Sequence, residues 1–205
     1  MAEGAIYDFF DADAHTITKT PVADYYVAGV DYGTSNPCAF VLFGVNRSSK
    51  PCIWAEHEYY FDSRKSQKQK TNTEYSADFM AFCEEHLGRY WQSKVLTTYV
   101  DPSAESFSLQ LKRDGVMSVC DAENDVLPGI ACVSSMMKSG RFAIHATQCP
   151  NLVSEVYGYC WDPKAQEKGL DMPMKTNDHA CDVCRYVLFS EFGDNHVDLT
   201  ALSRM

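Results

Sequence analysis

Three aspartates in this chain occupy positions where a divalent metal site could form. They are Asp31, which ends an apolar run, Asp101, which follows a β-rich run, and Asp182, which lies in the last helical stretch. Carboxylates that come close together repel one another unless cations lie between them. Mg²⁺ and Mn²⁺ suit such oxygen ligands, and two of these ions about 3.5–4 Å apart can activate a water and stabilise a leaving oxygen. We therefore expect the three aspartates to be catalytic residues that bind two Mg²⁺ or Mn²⁺ ions.

Three further side chains lie close to these aspartates in the sequence. His179 precedes Asp182 by three residues, on the same helical face. It could bind the metal, orient a ligand, or simply lie at the helix start, and these roles stay open. Asp178 and Glu105 could support the metal ligands without binding the ions. Their simpler roles are a dipole partner in a first helical turn for Asp178 and a solvated helix residue for Glu105.

Each aspartate also has a simpler structural explanation. Asp31 precedes Tyr32-Gly33 and could only shape a turn. Asp101 could belong only to the entry of the next helix. Asp182 could pair with Arg185 or Tyr186 on a helix surface, a contact worth a few tenths of a kcal/mol. The spacing of all three aspartates along one fold favours the metal site.

The elements that must position these acids begin with three strands. The apolar runs Tyr25 to Asp31, Cys38 to Val45 and Ile53 to Phe61 are separated by turns too short for a crossover helix. They predict an antiparallel meander. A helix from Thr73 to Trp91 and a strand from Val95 to Val100 follow, which suggests that this strand adds in parallel.

The remainder of the chain alternates helices with short strands. Ser103 is the expected cap and Gly115 the stop of a helix from Ala104 to Arg113, and Asn177 is the expected cap of the last helix. This order predicts an α/β fold of the ribonuclease H-like type, a mixed sheet of three antiparallel strands followed by parallel strands and flanked by helices. The further predicted elements are strands at Val116 to Cys120 and Phe142 to His145, helices at Asn124 to Lys138, Pro150 to Tyr159 and Asp178 to Phe192, and a loop or small hairpin at Trp161 to Asn177.

Length and composition set the domain organisation. A chain of 205 residues, 45% of them hydrophobic, can bury one full core. Residues 1–22 hold few core candidates, so we expect a linker or arm there and the ribonuclease H-like domain at 23–205. The chain has no apolar window of membrane-spanning length and an acidic start, so we expect neither a membrane segment nor secretion. Its nine cysteines are expected to be mostly buried, reduced thiols.

The net charge of −10 leaves no overall basic surface for nucleic acid. The basic cluster Arg64, Lys65, Lys68 and Lys70 could contact DNA phosphates, although a solvated loop is at least as good an explanation. A DNA-binding role therefore depends on bound metals, on this local cluster, or on a partner domain.

Four segments resemble the nuclease domains of tailed-phage large terminases. Val30 to Phe40, Val100 to Ser106 and Asn177 to Tyr186 are similar to the three acidic motifs of that family, and Glu155 to Trp161 is similar to the segment before the last motif. The resemblance covers about residues 4 to 192. Where that family usually has Asp-Ser-Ala-Glu, Pro102 follows Asp101, and proline is tolerated at such a position.

The resemblance implies an endonuclease that cuts concatemeric viral double-stranded DNA during genome packaging, in the host cell cytoplasm. Asp31, Asp101 and Asp182 match the metal-binding acids, and His179 matches a histidine of one branch of the family. The implied partners are an ATPase motor domain of the same terminase, the small terminase subunit and the portal. No Gly-x-x-x-x-Gly-Lys-Ser/Thr motif occurs in the sequence, and residues 4 to 19 resemble the segment that joins motor to nuclease.

Two other classes of function remain as alternatives. The loop from Asp31 to Thr34 also resembles the phosphate loop of actin-like ATPases and sugar kinases, although the chain offers no convincing second phosphate loop. A non-enzymatic zinc module could use Cys181 and Cys184 with Cys149 and with Cys160 or His145, although that spacing is poor.

Overall fold

A seven-stranded mixed sheet with helices on both faces forms the framework of the described part of the chain, residues 4–193 of a computed structural model. The strands are β1 (Thr16–Ile17), β2 (Tyr25–Asp31), β3 (Cys38–Val45), β4 (Ile53–Phe61), β5 (Val95–Val100), β6 (Val119–Asp121) and β7 (Phe142–His145). The α-helices are α1 (Ala12–His15), α2 (Ser63–Ser66), α3 (Asn72–Leu87), α4 (Glu105–Arg113), α5 (Val126–Lys138), α6 (Pro150–Gly158), α7 (Pro163–Gln166) and α8 (His179–Phe192).

The sheet confirms the predicted ribonuclease H-like order. Its strands run β1-β7-β4-β3-β2-β5-β6. β2, β3 and β4 form the antiparallel meander, and β5 adds in parallel beside β2, with Val30 opposite Val100. β6 is parallel to β5, and β7 is parallel to β4. The register places the residues after Val30 and Val100, which are Asp31 and Asp101, side by side at the carboxyl-terminal ends of these two parallel strands.

The helix caps differ from the prediction. Ser103 does not cap α4, because the side chain of Asp101 accepts a hydrogen bond from the Ser103 backbone N–H and begins a 3₁₀ turn instead. Asn177 does not cap α8 either. The cap position belongs to Asp178, whose side chain makes no capping hydrogen bond.

The amino-terminal segment is part of the folded unit. Tyr7 and Phe10 are 1% and 3% exposed in the core between the sheet and helices α5, α6 and α8. β1 extends the sheet by pairing in parallel with β7. Within the described residues 4–22, Tyr7 and Phe10 are the two buried side chains, and they contact Tyr159 and Tyr157 about 150 residues further along the chain.

Helix α8 lies directly on the sheet strand that carries Asp31. It packs against β2, β3 and β5, and its residues from Ala180 to Ser190 are all buried. The close approach requires Gly29 on β2, because a Cβ atom there would lie 2.5 Å from Val187 Cγ2 and 2.6 Å from Val183 Cγ1. Since α8 also carries His179 and Asp182, this contact sets their distance from Asp31.

The second core lies on the opposite face of the sheet, between the strands and helices α3 and α4. No helix among residues 4–193 is both long enough and apolar enough to cross a membrane.

Candidate active site

Asp31 at the end of β2 faces the first turn of α8. Its Oδ2 lies 2.7 Å from His179 Nδ1, and the two side chains are 17% and 15% exposed. Burial raises the pKa of the Asp31 carboxyl, and the contact with His179 offsets this only in part. Burial lowers the pKa of His179, but the contact with Asp31 outweighs it, so that the pKa is raised overall. The pair joins two of the predicted metal ligands directly.

Asp101 follows β5 and is fixed by two donors. Its Oδ2 accepts a hydrogen bond of 2.6 Å from the Tyr186 hydroxyl on α8, and its Oδ1 accepts the Ser103 N–H at 2.7 Å. Burial alone would raise the pKa of Asp101, but these hydrogen bonds outweigh burial and lower it. Asp101 therefore has the helix-entry role considered from the sequence, through Oδ1, while its Oδ2 faces α8.

Asp182 on α8 is held on both of its oxygens. Oδ1 accepts from Arg185 at 2.9 and 3.3 Å, and Oδ2 lies 2.9 Å from Lys175 Nζ. The pair with Arg185, which the sequence suggested at a helix surface, is in the interior, because Asp182 is 5% and Arg185 2% exposed. No sequence pattern pointed to Lys175, because only the tertiary structure brings it close to its partners.

One pocket of about 270 Å³ brings several of these side chains together. Asp31, His179, Asp178 and Asp182 line it, whereas Asp101 does not line it and is hydrogen-bonded to Tyr186, which does. Within residues 4–193 no three His, Cys, Asp or Glu side chains already surround one point as a metal site would require. The carboxylates fit Mg²⁺ or Mn²⁺ in kind. Metal binding would require Asp31 to give up its present contact with His179, and Asp182 to give up its contact with Lys175.

The start of α8 is stabilised by a residue whose role the sequence did not assign. The Glu155 carboxylate on α6 accepts the backbone N–H groups of Ala180 at 2.7 Å and Cys181 at 3.0 Å, and the Tyr60 hydroxyl donates to it at 2.8 Å. Those N–H groups have no partner inside the helix, so a carboxylate there fixes the first turn. Burial raises the pKa of Glu155 to about 7 despite these donors.

The two supporting acids named from the sequence behave differently. Asp178 lines the pocket, with its Oδ2 3.3 Å from Lys175 Nζ, an ion-pair contact without hydrogen-bond geometry. Glu105 is exposed at the start of α4 and is not part of the pocket wall. Its exposure agrees with the solvated helix role considered from the sequence, and a supporting role at the site stays a prediction.

The basic cluster divides into two parts. Arg64 lines the pocket of about 270 Å³ that contains the aspartates, called the acid pocket below. Lys65 lines an adjoining groove of about 500 Å³, and Thr176 and Asn177 line both. Lys68 is exposed. Lys70 forms an ion pair with Asp78, and its Nζ lies 4.4 Å from the centre of the Phe61 ring. Lys70 is therefore engaged in an ion pair and a cation–π contact, and its contact with DNA stays a prediction.

The cysteines give the zinc alternative no support. Cys181 and Cys184 are buried, and within residues 4–193 they form no cluster with a third His, Cys, Asp or Glu side chain that could hold a metal ion. Seven of the nine cysteines are buried, and no disulfide is present between residues 4 and 193.

Comparison with known proteins gives a consistent set of relatives. No family model matches the chain. The terminase large subunit of Escherichia phage T5 is 25% identical over 199 residues, which are 92% of this chain and 42% of that protein. The large terminase of a thermophilic bacteriophage, solved in complex with ADP, is 39% identical with a TM-score of 0.84, over 94% of this chain and 46% of that one. The chain thus spans less than half the length of these two proteins.

Separately solved nuclease domains match over nearly their whole length. The P22 large terminase nuclease domain has a TM-score of 0.70 at 17% identity, over 93% of this chain and 94% of that one. The nuclease domain of the bacteriophage SPP1 large terminase, solved with bound Mn, has a TM-score of 0.57 at 20% identity, over 82% of this chain and 86% of that one. The large terminase nuclease of phage G20c, solved with bound zinc, has a TM-score of 0.53 at 12% identity, over 90% of this chain and 96% of that one. At these identities the likeness concerns the fold alone. The homologues and structural neighbours of this chain are therefore phage large terminases and their nuclease domains.

Proposed function

We propose that the chain is a divalent-metal-dependent endonuclease that cuts double-stranded viral DNA during genome packaging. One observation carries the proposal. Asp31, His179 and Asp182 line a single pocket, and Asp101 lies at the end of the strand paired with the Asp31 strand. The relatives among phage large terminases agree with this chemistry, and two neighbouring nuclease domains hold Mn and zinc.

The metal ligands in this proposal are Asp31, Asp101 and Asp182, with His179 as a fourth candidate. Two Mg²⁺ or Mn²⁺ ions would activate water for attack on the phosphorus and stabilise the departing 3′ oxygen. Hydrolysis adds one water to the phosphodiester and leaves a 3′ hydroxyl and a 5′ phosphate.

The chain's own contribution is to hold the ligands in place before DNA arrives. Arg185 fixes Asp182 Oδ1, and Tyr186 fixes Asp101 Oδ2. Both donors lie on α8, whose first turn Glu155 anchors. Ligands held by buried partners lose little freedom on binding, which favours a defined geometry.

The proposed DNA contacts are Arg64 at the pocket and Lys65 along the adjoining groove, with the exposed Lys68 as a further candidate. Their side chains are 56% exposed for Arg64 and 85% exposed for Lys65, so phosphates can reach them. With a net charge of −10, the chain by itself should bind DNA weakly and with steep salt dependence. We further propose that the ATPase motor domain, the small terminase subunit and the portal supply the remaining DNA affinity, in the host cytoplasm during virus assembly.

Plasmid nicking tests this proposal. We expect cleavage with Mn²⁺ or Mg²⁺, none with EDTA, and a fall of at least about 10²-fold for Asp31→Asn and Asp182→Asn, because each removes a metal ligand's charge. Asp114→Asn is the matched control, since Asp114 is exposed at the end of α4, away from the pocket. Full activity of either site variant, or equal loss in the control, would contradict the assignment.

A further inference from the structure

We propose that Lys175 is a positioning residue that takes the place of a divalent cation between two acids of the site, and that metal binding displaces it. The inference rests on the proposed function. Lys175 Nζ lies 2.9 Å from Asp182 Oδ2 and 3.3 Å from Asp178 Oδ2, and its side chain lines the same pocket as Asp31 and His179. An ammonium group between carboxylates reduces the repulsion that the acids would otherwise feel.

Lys175 and a metal would compete for one atom. Asp182 Oδ1 is occupied by Arg185, whose guanidinium also donates to the backbone carbonyl of Asn124. The Tyr159 hydroxyl lies 3.5 Å from the same oxygen. Oδ2 is therefore the oxygen that Asp182 can offer to the pocket, and Lys175 Nζ is bound to it.

The two cations that hold Asp182 differ in how easily they can leave. The Arg185 side chain is 3% exposed, so its departure would leave a buried carboxylate without a partner. The Lys175 side chain is 63% exposed, and its ammonium can return to water on a flexible stem. Lys175 also lies outside α7 and α8, in a segment whose pairing with the rest of the chain is a single bridge between Trp161 and Pro173. Lys175 is therefore the partner that a metal can replace.

Removal of a competing cation should strengthen metal binding, whereas removal of a merely structural contact should weaken it or leave it unchanged. Because the Lys175 end of the ion pair is 63% exposed, the pair should contribute about 1 kcal/mol, so Lys175→Met should lower the Kd for Mn²⁺ about two- to fivefold. Lys175→Arg keeps the charge and should stay near the wild-type value. Lys168→Met is the matched control, because Lys168 is exposed on the same segment and makes no ion pair within residues 4–193.

Isothermal titration with MnCl₂ at low ionic strength, without DNA, measures these values on the intact chain. An unchanged or higher Kd for Lys175→Met, or the same decrease in Lys168→Met, would overturn the inference while leaving the proposed nuclease intact. Absence of Mn²⁺ binding by the wild-type chain would overturn both. In hydrogen exchange, Mn²⁺ should accelerate exchange in residues 170–177 of the wild type. Slower exchange there would mean that the metal recruits the segment, which also contradicts displacement.

Discussion

Gly29→Ala should push helix α8 away from strand β2, the two elements that carry His179, Asp182 and Asp31. The added Cβ would lie 2.5 and 2.6 Å from methyl groups of Val187 and Val183, about 0.8–0.9 Å closer than the 3.4 Å at which ordinary contact begins. Both valines are β-branched and cannot rotate freely within a helix, so α8 must move as a unit. Overpacking of this kind costs roughly 1–3 kcal/mol.

The same movement of α8 should also slow catalysis. Val183 directly follows Asp182, so a helix displaced by nearly 1 Å carries His179 and Asp182 away from Asp31, which stays on β2. Misplacement of this size can reduce a rate roughly 10²-fold. Urea unfolding followed by circular dichroism measures the first effect, and Mn²⁺-dependent plasmid nicking measures the second.

The control for this variant is Gly158→Ala at the end of α6, where a Cβ would meet nothing within 4 Å. It should keep both stability and nicking rate. If Gly29→Ala loses less than about 0.5 kcal/mol and nicks at the wild-type rate, then the close approach of α8 to β2 does not set the site geometry.

Two other perturbations have expected outcomes. Arg185→Met leaves Asp182 buried without its guanidinium and should cost about 3–5 kcal/mol in urea unfolding, whereas Arg47→Met, which breaks an exposed pair with Glu191, should cost at most about 1 kcal/mol. Similar losses would show that the interior pair has no special role. Burial lowers the pKa of His57 to about 4 from 6.5, so the unfolded chain binds a proton first as pH falls and the free energy of unfolding should decrease from pH 6.5 towards pH 4. His57→Gln should flatten that slope in unfolding measured across this range, and an unchanged slope would contradict the assignment.

Local sequence patterns were sufficient to predict the strands that carry the acids. The runs at Tyr25 to Asp31 and Val95 to Val100 have the predicted bounds, because each is a β-rich segment ended by an aspartate and a turn. Their parallel pairing followed from the intervening helix. The positions of Asp31 and Asp101 at one sheet edge were therefore predictable.

Contacts between side chains far apart in the sequence were not predictable in this way. The acidic segment containing Tyr7 gave no periodic signal, and its burial depends on Tyr159 far along the chain. Lys70 and Lys175 look alike in the sequence, yet one packs against Phe61 and the other reaches the acid pocket. Such contacts are set by the tertiary structure, and a local pattern contains no information about them.

Anomalous diffraction from crystals of the protein soaked in MnCl₂ tests the central claim most directly. We predict one or two Mn²⁺ peaks within bonding distance of Asp31 and of Asp182 Oδ2, with Asp101 contributing and Lys175 Nζ moved away from Asp182. Mn²⁺ peaks confined to other surfaces, with the Asp31–His179 and Lys175–Asp182 contacts unchanged, would contradict it.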